Sequence, residues 1–389
     1  MNTNTNSATA VWPEGKTVSL KDFDVSLSQP VLVARSKGYL WFPSLARLAN
    51  GDLRAMMSNY ADIHTSDSSS LNAFSSDGGR TWSQPIVAPY GEVNLRLPSG
   101  DELFLPYYLA PAGDGISASY STIPNGTREI KVAEAKVTIT GWPRPVGRVV
   151  QDGVEMNLSA FVFNGQAVEL KTGGYLATLY GYFQGKSHEK GDRMNLVAAE
   201  SPDGVNWKIR SVIADENCKL PGYEGPCESA LCRLLDGRLM CVFRMALQDV
   251  PLGQTWSSDE GKTWSDPVAI ENAYGVQPSL AVMQDGAVVL SAGRKGIYLW
   301  FNADGQGKEG ERIDLQAHHN QLVPDEPIVQ AGFNDWAGDS SCYTEVVALD
   351  DTHLLVIYDR LANGWKPIPP DSQETNSVWV VQVKLKKKR

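Results

Sequence analysis

Four residues combine acid–base, nucleophilic or cationic chemistry with a shared place in the local pattern. Glu228 stands just before an alternating apolar segment, and Arg244 stands just after the segment that returns from it. Arg294 follows the next such pair, and Tyr343 precedes the last one. A phenol of pKa about 10 is a poor nucleophile at neutral pH unless a carboxylate takes its proton. A tyrosine and a glutamate brought to one place therefore make a usable pair. Asp62 and Asp67 lie in the polar loop NYADIHTSDSSS after the first apolar pair, and either supplies a further carboxyl. Each has a plainer alternative: a core tyrosine, a structural ion pair for Glu228, Arg244 or Arg294, and a solvated acid for Asp62. His188, His318 and His319 fall in loop-like stretches suited to solvated or capping roles, although a lyase would need a histidine.

The elements that must position these groups recur along the chain. PSLARLANGDLRAMM begins at Pro43, NLRLPSGDELFLPYY at Asn94 and AVELKTGGYLATLYG at Ala167. SALCRLLDGRLMCVF follows from Ser229, SLAVMQDGAVVLSAG from Ser279 and TEVVALDDTHLLVIY from Thr344. Each reads as a β-hairpin, with period-two apolar residues on both sides of a tight turn. The six copies are spaced roughly 50 to 75 residues apart, which marks a repeat architecture. Between them lie SSDGGRTW (Ser75–Trp82), SPDGVNW (Ser201–Trp207), SSDEGKTW (Ser257–Trp264) and a degenerate NADGQGK from Asn302. In these the Asp side chain can bind nearby N–H groups, Gly permits positive φ and Trp packs on the hairpin.

On these motifs the chain resembles the sialidase superfamily, whose repeated element is the Asp-box. The resemblance runs from about Pro43 to Asp359 and implies an all-β, six-bladed β-propeller with four-stranded antiparallel blades. A single domain is expected over 17–386, with a flexible segment at 1–16 and an insertion around 108–157. Closure is expected by pairing Thr17–Val33 with VWVVQVKLK from Val378. The family's nucleophile is a tyrosine in Y-[ST]-x-L; CYTEVV places Tyr343 there, with Val346 at the Leu position. The resemblance makes Glu228 of PCESALCRL the base, Asp62 the acid/base with Asp67 as alternate, and Arg244 and Arg294 two of three substrate-binding arginines. The first arginine, in R-I-P-S-L, is replaced: the chain reads LWFPSL, with Trp41 in its place. Loss of a charge-assisted donor argues against ordinary sialic-acid cleavage, while Trp41 offers a flat apolar face for a sugar ring.

The resulting expectation is an exo-acting glycoside hydrolase for a terminal sugar, still open to an acidic one. A lyase acting on a uronate-containing glycan and a non-catalytic carbohydrate-binding propeller are the alternatives. No cofactor or metal is expected, because the five cysteines lack paired C-x-x-C spacing and no HExxH or P-loop occurs. The cysteines read as free thiols, although Cys218 and Cys227 could bridge in an oxidising compartment. A formal charge of −10 disfavours nucleic acid, and KLKKKR at the end reads as a solvated tail. No apolar run reaches a membrane span, and the polar start MNTNTNSATA lacks a secretory pattern, so a cytoplasmic location is expected. The N-x-[ST] sites at Asn125 and Asn157 carry meaning only in a secreted chain.

Overall fold

Period-two apolar alternation around Gly- and Asp-bearing turns yields an all-β chain, shown by a computed structural model that describes residues 12–62, 69–246, 250–294, 296–308, 310–329 and 338–388. All six expected hairpins form. Three of them extend into four-stranded antiparallel sheets. These run from Trp41–Arg47 to Ile86–Pro89, from Cys227–Arg233 to Val268–Tyr274, and from Val276–Val282 to Glu311–Asp314.

The second and third hairpins correct the expectation of separate antiparallel units. The run from Val93–Arg96 to Lys131–Thr140 and the run from Phe161–Phe163 to Asn206–Ala214 share one ten-stranded sheet. They join in parallel through their last strands, with Thr138 opposite Asn206 and Ile139 opposite Trp207. Two edges that would otherwise face water satisfy each other there. Within the segment expected as an insertion, Gly115–Ile123 and Lys131–Thr140 are the third and fourth strands of the second run. Only Arg148–Gln151 with Val154–Ser159 forms a separate two-stranded sheet among the described residues.

The chain ends meet. Phe23–Ser28 and Val31–Ser36 both pair antiparallel with the twelve-residue strand Asn376–Lys387, which also pairs with His353–Arg360. Glu14–Ser19 adds outside Phe23–Ser28, so the segment expected to be flexible through residue 16 is already strand from Glu14. Residues 1–11 lie outside the described residues.

The core sits between consecutive sheet runs. Ala46 and Phe74 of the first run meet Phe104 and Ile123 of the second. Leu103 and Leu179 share the next cluster, then Leu196 with Cys241, and Val242 with Leu290. Val289 and Val356 join the fifth run to the last, and Leu53 and Ile357 join the last to the first. Each such buried Leu, Val or Phe contributes about 1.5–3 kcal/mol relative to exposure. No run can expose both faces without losing two of these layers.

The S-x-D turns link third to fourth strands. Asp77 accepts N–H bonds from Arg80 and Thr81 at 3.0 Å, Asp203 from Val205 and Asn206 at 2.8 Å, and Asp259 from Lys262 and Thr263 at 3.1 and 2.9 Å. In each the preceding serine hydroxyl donates to the same carboxylate. At the degenerate copy, Asn302 and Asp304 accept from the Gly307 and Gln306 N–H groups.

Candidate active site

Three of the hairpins break register at the entrance of their first strand: between Trp41 and Ser44, Cys227 and Ser229, and Val276 and Ser279. A bulge re-aims a side chain that simple alternation would send to the sheet face. Phe42, Glu228 and Gln277 sit at these breaks. Seven described non-glycine residues have positive φ, and four of them gather here: Phe42 (47°), Gln277 (42°), Arg294 (81°) and Cys342 (65°). Such backbones cost about 1–3 kcal/mol each and persist only where the surroundings over-determine them. Asp359 supplies part of that hold. Fully buried, it accepts from the Ser340 hydroxyl at 2.6 Å, the Ser341 N–H at 2.8 Å, the Ser341 hydroxyl, and the Phe42 N–H at 3.2 Å. Burial raises its carboxyl to about 6 despite those donors.

The Tyr343 hydroxyl donates to Glu228 Oε1. Arg244 Nη1 donates to the same oxygen at 2.7 Å, and the Gln277 N–H donates to Oε2 at 3.0 Å. The other side of the Arg244 fork is taken by Glu224, at 2.7 Å to Oε1 and 2.6 Å to Oε2. Glu224, Glu228 and Arg244 are all buried, with 7%, 5% and 6% of their surface exposed. Burial alone would raise the Glu228 carboxyl, but Arg244 and Arg294 hold it below the ordinary carboxylate value. The Tyr343 phenol moves the opposite way, driven well above its ordinary value by burial and by the Glu228 charge. The resting pair is therefore a neutral phenol on an ionised carboxylate. Arg294 lies with its guanidinium carbon 5.7 Å from the Tyr343 ring centre and 5.2 Å from that of Trp365.

Thus four of the expected residues, Tyr343, Glu228, Arg244 and Arg294, are brought together. Trp41 is close but does not offer a platform. It is 1% exposed, its rings packed by Tyr39, Phe42 and Trp365 at 4.6–5.1 Å and its indole N–H bound to the Tyr60 carbonyl at 2.9 Å. The bulge instead presents half-buried Phe42, whose ring meets Tyr343 edge-on at 4.7 Å. Asp62 is exposed and raises the phenols of Tyr60 and Tyr108 through its charge, after the larger effect of burial. Asp67 lies outside the described residues. Tyr60, Tyr90, Tyr107 and Tyr108 form an edge-to-face row with centres 5.0–6.2 Å apart, and Tyr107 shares a 2.7 Å hydrogen bond with Tyr180. Tyr107 and Tyr180 feel the charge of Glu228, which ties the row to the pair. Half-buried Glu92, bound by Tyr90 at 2.9 Å and Asn164 at 2.7 Å, is lifted to about 7 by burial, with a further push from Glu228.

The arrangement can move a proton from a phenol to a carboxylate while two guanidiniums stabilise the phenolate that forms. Among the described residues no group of three or more His, Cys, Asp or Glu is placed to hold a metal ion. All five cysteines are buried thiols, and the S-x-D carboxylates are occupied by their own turns. Glu224, Phe42, Trp365, Asp359 and the tyrosine row were not anticipated. For the row a signal existed: the end of the returning strand, where Arg244 is the last residue and Arg294 the next one on, also marks Tyr60 and Tyr107 two residues beyond their strands and Tyr180 within the last two residues of its own. Glu224 precedes Glu228 by four residues in a loop, and no periodicity points to it.

No protein-family model and no curated protein sequence matches this chain. Solved structures do match in fold. A protein of unknown function from Dyadobacter fermentans aligns over 93% of this chain and 99% of its own, at 17% identity and a TM-score of 0.67. A GH93 α-L-arabinofuranosidase of Fusarium graminearum, solved with arabinobiose, aligns over 91% of this chain and 97% of its own, at 14% identity and 0.55. The NanB sialidase from Streptococcus pneumoniae aligns over 91% and 70%, at 15% identity and 0.53. The fold is of the sialidase-like kind that these glycosidases share, and at such identities the likeness is one of fold.

Proposed function

We propose that this protein is an exo-acting glycoside hydrolase on a single-domain, six-bladed β-propeller, and that it is not an ordinary sialidase. The observation that carries the reading is the hydrogen-bonded Tyr343–Glu228 pair braced by Arg244. Six sheet runs with an apolar cluster between each consecutive pair, including last with first, support the propeller. The glycosidase neighbours support the reaction class.

In this mechanism the Tyr343 oxygen bonds to the anomeric carbon as its proton passes to Glu228. Asp62 protonates the departing glycosidic oxygen. Water then attacks the same carbon, giving a proton to Asp62, while the Tyr343 oxygen leaves and recovers its proton from Glu228. The two displacements give net retention. Phenolate formation is uphill at rest, because Glu228 is a weak base and Tyr343 a weak acid here. The cationic character developing at the sugar carbon offsets that cost only in the transition state. Two of the histidines considered for a lyase are engaged elsewhere. His318 binds the Ser28 carbonyl, and His319 binds Tyr358 and the Glu326 carbonyl, none of them in the Tyr343 group.

The test is incubation with a panel of neutral and acidic oligosaccharides, read by product mass. Hydrolysis adds one water to the summed products and releases the end sugar first. Unsaturated products of unchanged summed mass would refute the hydrolase, and no product from any glycan would favour a binding propeller.

A further inference from the structure

The geometry points to an uncharged sugar as the occupant of the subsite around Tyr343, with Glu224 as the residue that excludes acidic ones. This rests on the glycosidase reading and specifies its substrate class. The argument is a count of charges and of what already holds them. The position where a first arginine would stand is Trp41, buried and without charge. Arg244 donates Nη1 to Glu228 Oε1 and Nη2 to Glu224 Oε1, with Glu224 Oε2 also within ion-pair distance of Nη2, and all three side chains are buried. Its cation is matched on both sides before any substrate arrives. Arg294 is the remaining cation at the pair, and it lies between the Tyr343 and Trp365 rings, where its charge also acts on Glu228. Two cations thus face two carboxylates.

A substrate carboxylate entering this site would be a third negative charge against two cations, and Arg294, which donates to the Ser341 carbonyl at 3.4 Å, is the one guanidinium there without a carboxylate at ion-pair distance among the described residues. Taking Arg294 as its partner would withdraw that cation from Glu228 and leave buried negative charge in excess, which is costly, and Glu92 adds further repulsion once it ionises. A sugar bearing only hydroxyls meets no such cost. The walls suit it: Tyr60, Tyr90, Tyr107, Tyr108 and Tyr180 are half-buried, with aromatic faces for C–H surfaces and neutral phenols that can donate or accept. Phe42 and Trp365, 5.7 Å apart, extend the same character beside Tyr343. Glu224 is the deciding residue because it takes the half of the Arg244 fork that Glu228 leaves open.

The experiment measures binding apart from turnover, on the Tyr343→Phe protein. The ligands are 4-nitrophenyl glucoside against glucuronide, galactoside against galacturonide, α-L-arabinofuranoside, and an N-acetylneuraminide, each titrated calorimetrically. Uncharged members are expected to bind at least ~10-fold more tightly than their uronide partners. Adding Glu224→Gln should narrow that ratio at least ~5-fold, mainly through tighter uronide binding, because one Arg244 charge is released. Equal or tighter uronide binding by the Glu224-bearing protein overturns the inference, as does a ratio unmoved by a folded Glu224→Gln protein. Absence of binding by every ligand overturns it too. Should Glu224→Gln fail to fold, the ratio in the Glu224-bearing protein decides alone. Binding of uncharged glycosides without turnover by the unsubstituted enzyme would keep this inference and sink the hydrolase; turnover of uronides would do the reverse.

Discussion

Replacing Tyr343 with Phe removes one oxygen and leaves almost everything else in place. The ring keeps its edge contact with Phe42 and its position beside Arg294, and Glu228 keeps Arg244 and the Gln277 N–H. What disappears is one hydroxyl donor on an ionised acceptor, worth about 1.5–3 kcal/mol where both groups are buried and less here, because Tyr343 is half-buried. Unfolding entropy near ~2.1 cal/mol/K per residue gives about 0.8 kcal/mol/K over 389 residues, so the melting temperature should fall by less than about 4 °C. The rate should fall far more. Without its oxygen no glycosyl–enzyme bond forms, and kcat is expected to drop by at least ~10³, or about 4 kcal/mol in the barrier. Initial rates on a substrate from the glycan panel, with a thermal melt followed by circular dichroism, measure both quantities. Because the two residues act as one unit, Glu228→Gln added to Tyr343→Phe should cost little further activity. A Tyr343→Phe enzyme keeping more than about a tenth of its rate refutes the nucleophile, since displacement would then proceed without it. A collapse of the fold would show that Tyr343 is a packing residue instead.

Two further outcomes test the frame around the pair. Asp259→Ala removes the acceptor for the Lys262 and Thr263 N–H groups and for the Ser257 and Thr263 hydroxyls. By analogy with a lost capping residue it should lower stability by about 1–2 kcal/mol, a melting shift of a few degrees at most, with kcat unchanged. A large fall in kcat at constant stability would contradict the purely structural role. The second concerns pH. Glu92 is raised by burial to about 7 and Glu345 to about 8, so the folded state holds protons that the unfolded chain releases near 4.5. Their stabilising contribution is complete below about pH 4.5 and is lost as pH rises through 7 to 8. Melting temperature should therefore decline across pH 5–8, and Glu92→Gln should flatten part of that decline. An unchanged slope in the variant would show that Glu92 is not the buried group inferred.

Much of the frame is readable before any coordinates, for a physical reason. A strand that is buried on one or both faces must alternate or run apolar, and a tight turn must carry Gly, Asn or Asp. Both requirements act within a dozen residues, so ARLANGDLRAMM and VMQDGAVVL announce their hairpins locally. The S-x-D turns are legible for the same reason, since each carboxylate satisfies N–H groups two to four residues ahead. Tyr343 and Glu228 are found by position, because the entrance of a first strand is a place that local pattern marks. The parallel seam between Thr138–Thr140 and Asn206–Lys208 is not legible, since neither segment shows which edge it will meet.

By itself, then, the sequence determined an all-β repeat of six hairpins and placed a phenol, a carboxylate and two guanidiniums at comparable strand ends. It left their partners open. Tertiary structure decided that Arg244 is held between Glu224 and Glu228, that Trp41 is packed away while Phe42 turns toward Tyr343, and that the tyrosines form one wall. These facts depend on bulges and positive-φ residues that are unfavourable in isolation. They are sustained by bonds between residues far apart in the chain, such as Asp359 to Phe42 and Tyr343 to Glu228. Local preference cannot specify a conformation whose stabilisation comes from elsewhere in the fold, so a hydrogen bond between two sheets, such as Tyr343 to Glu228, stays invisible until the sheets meet.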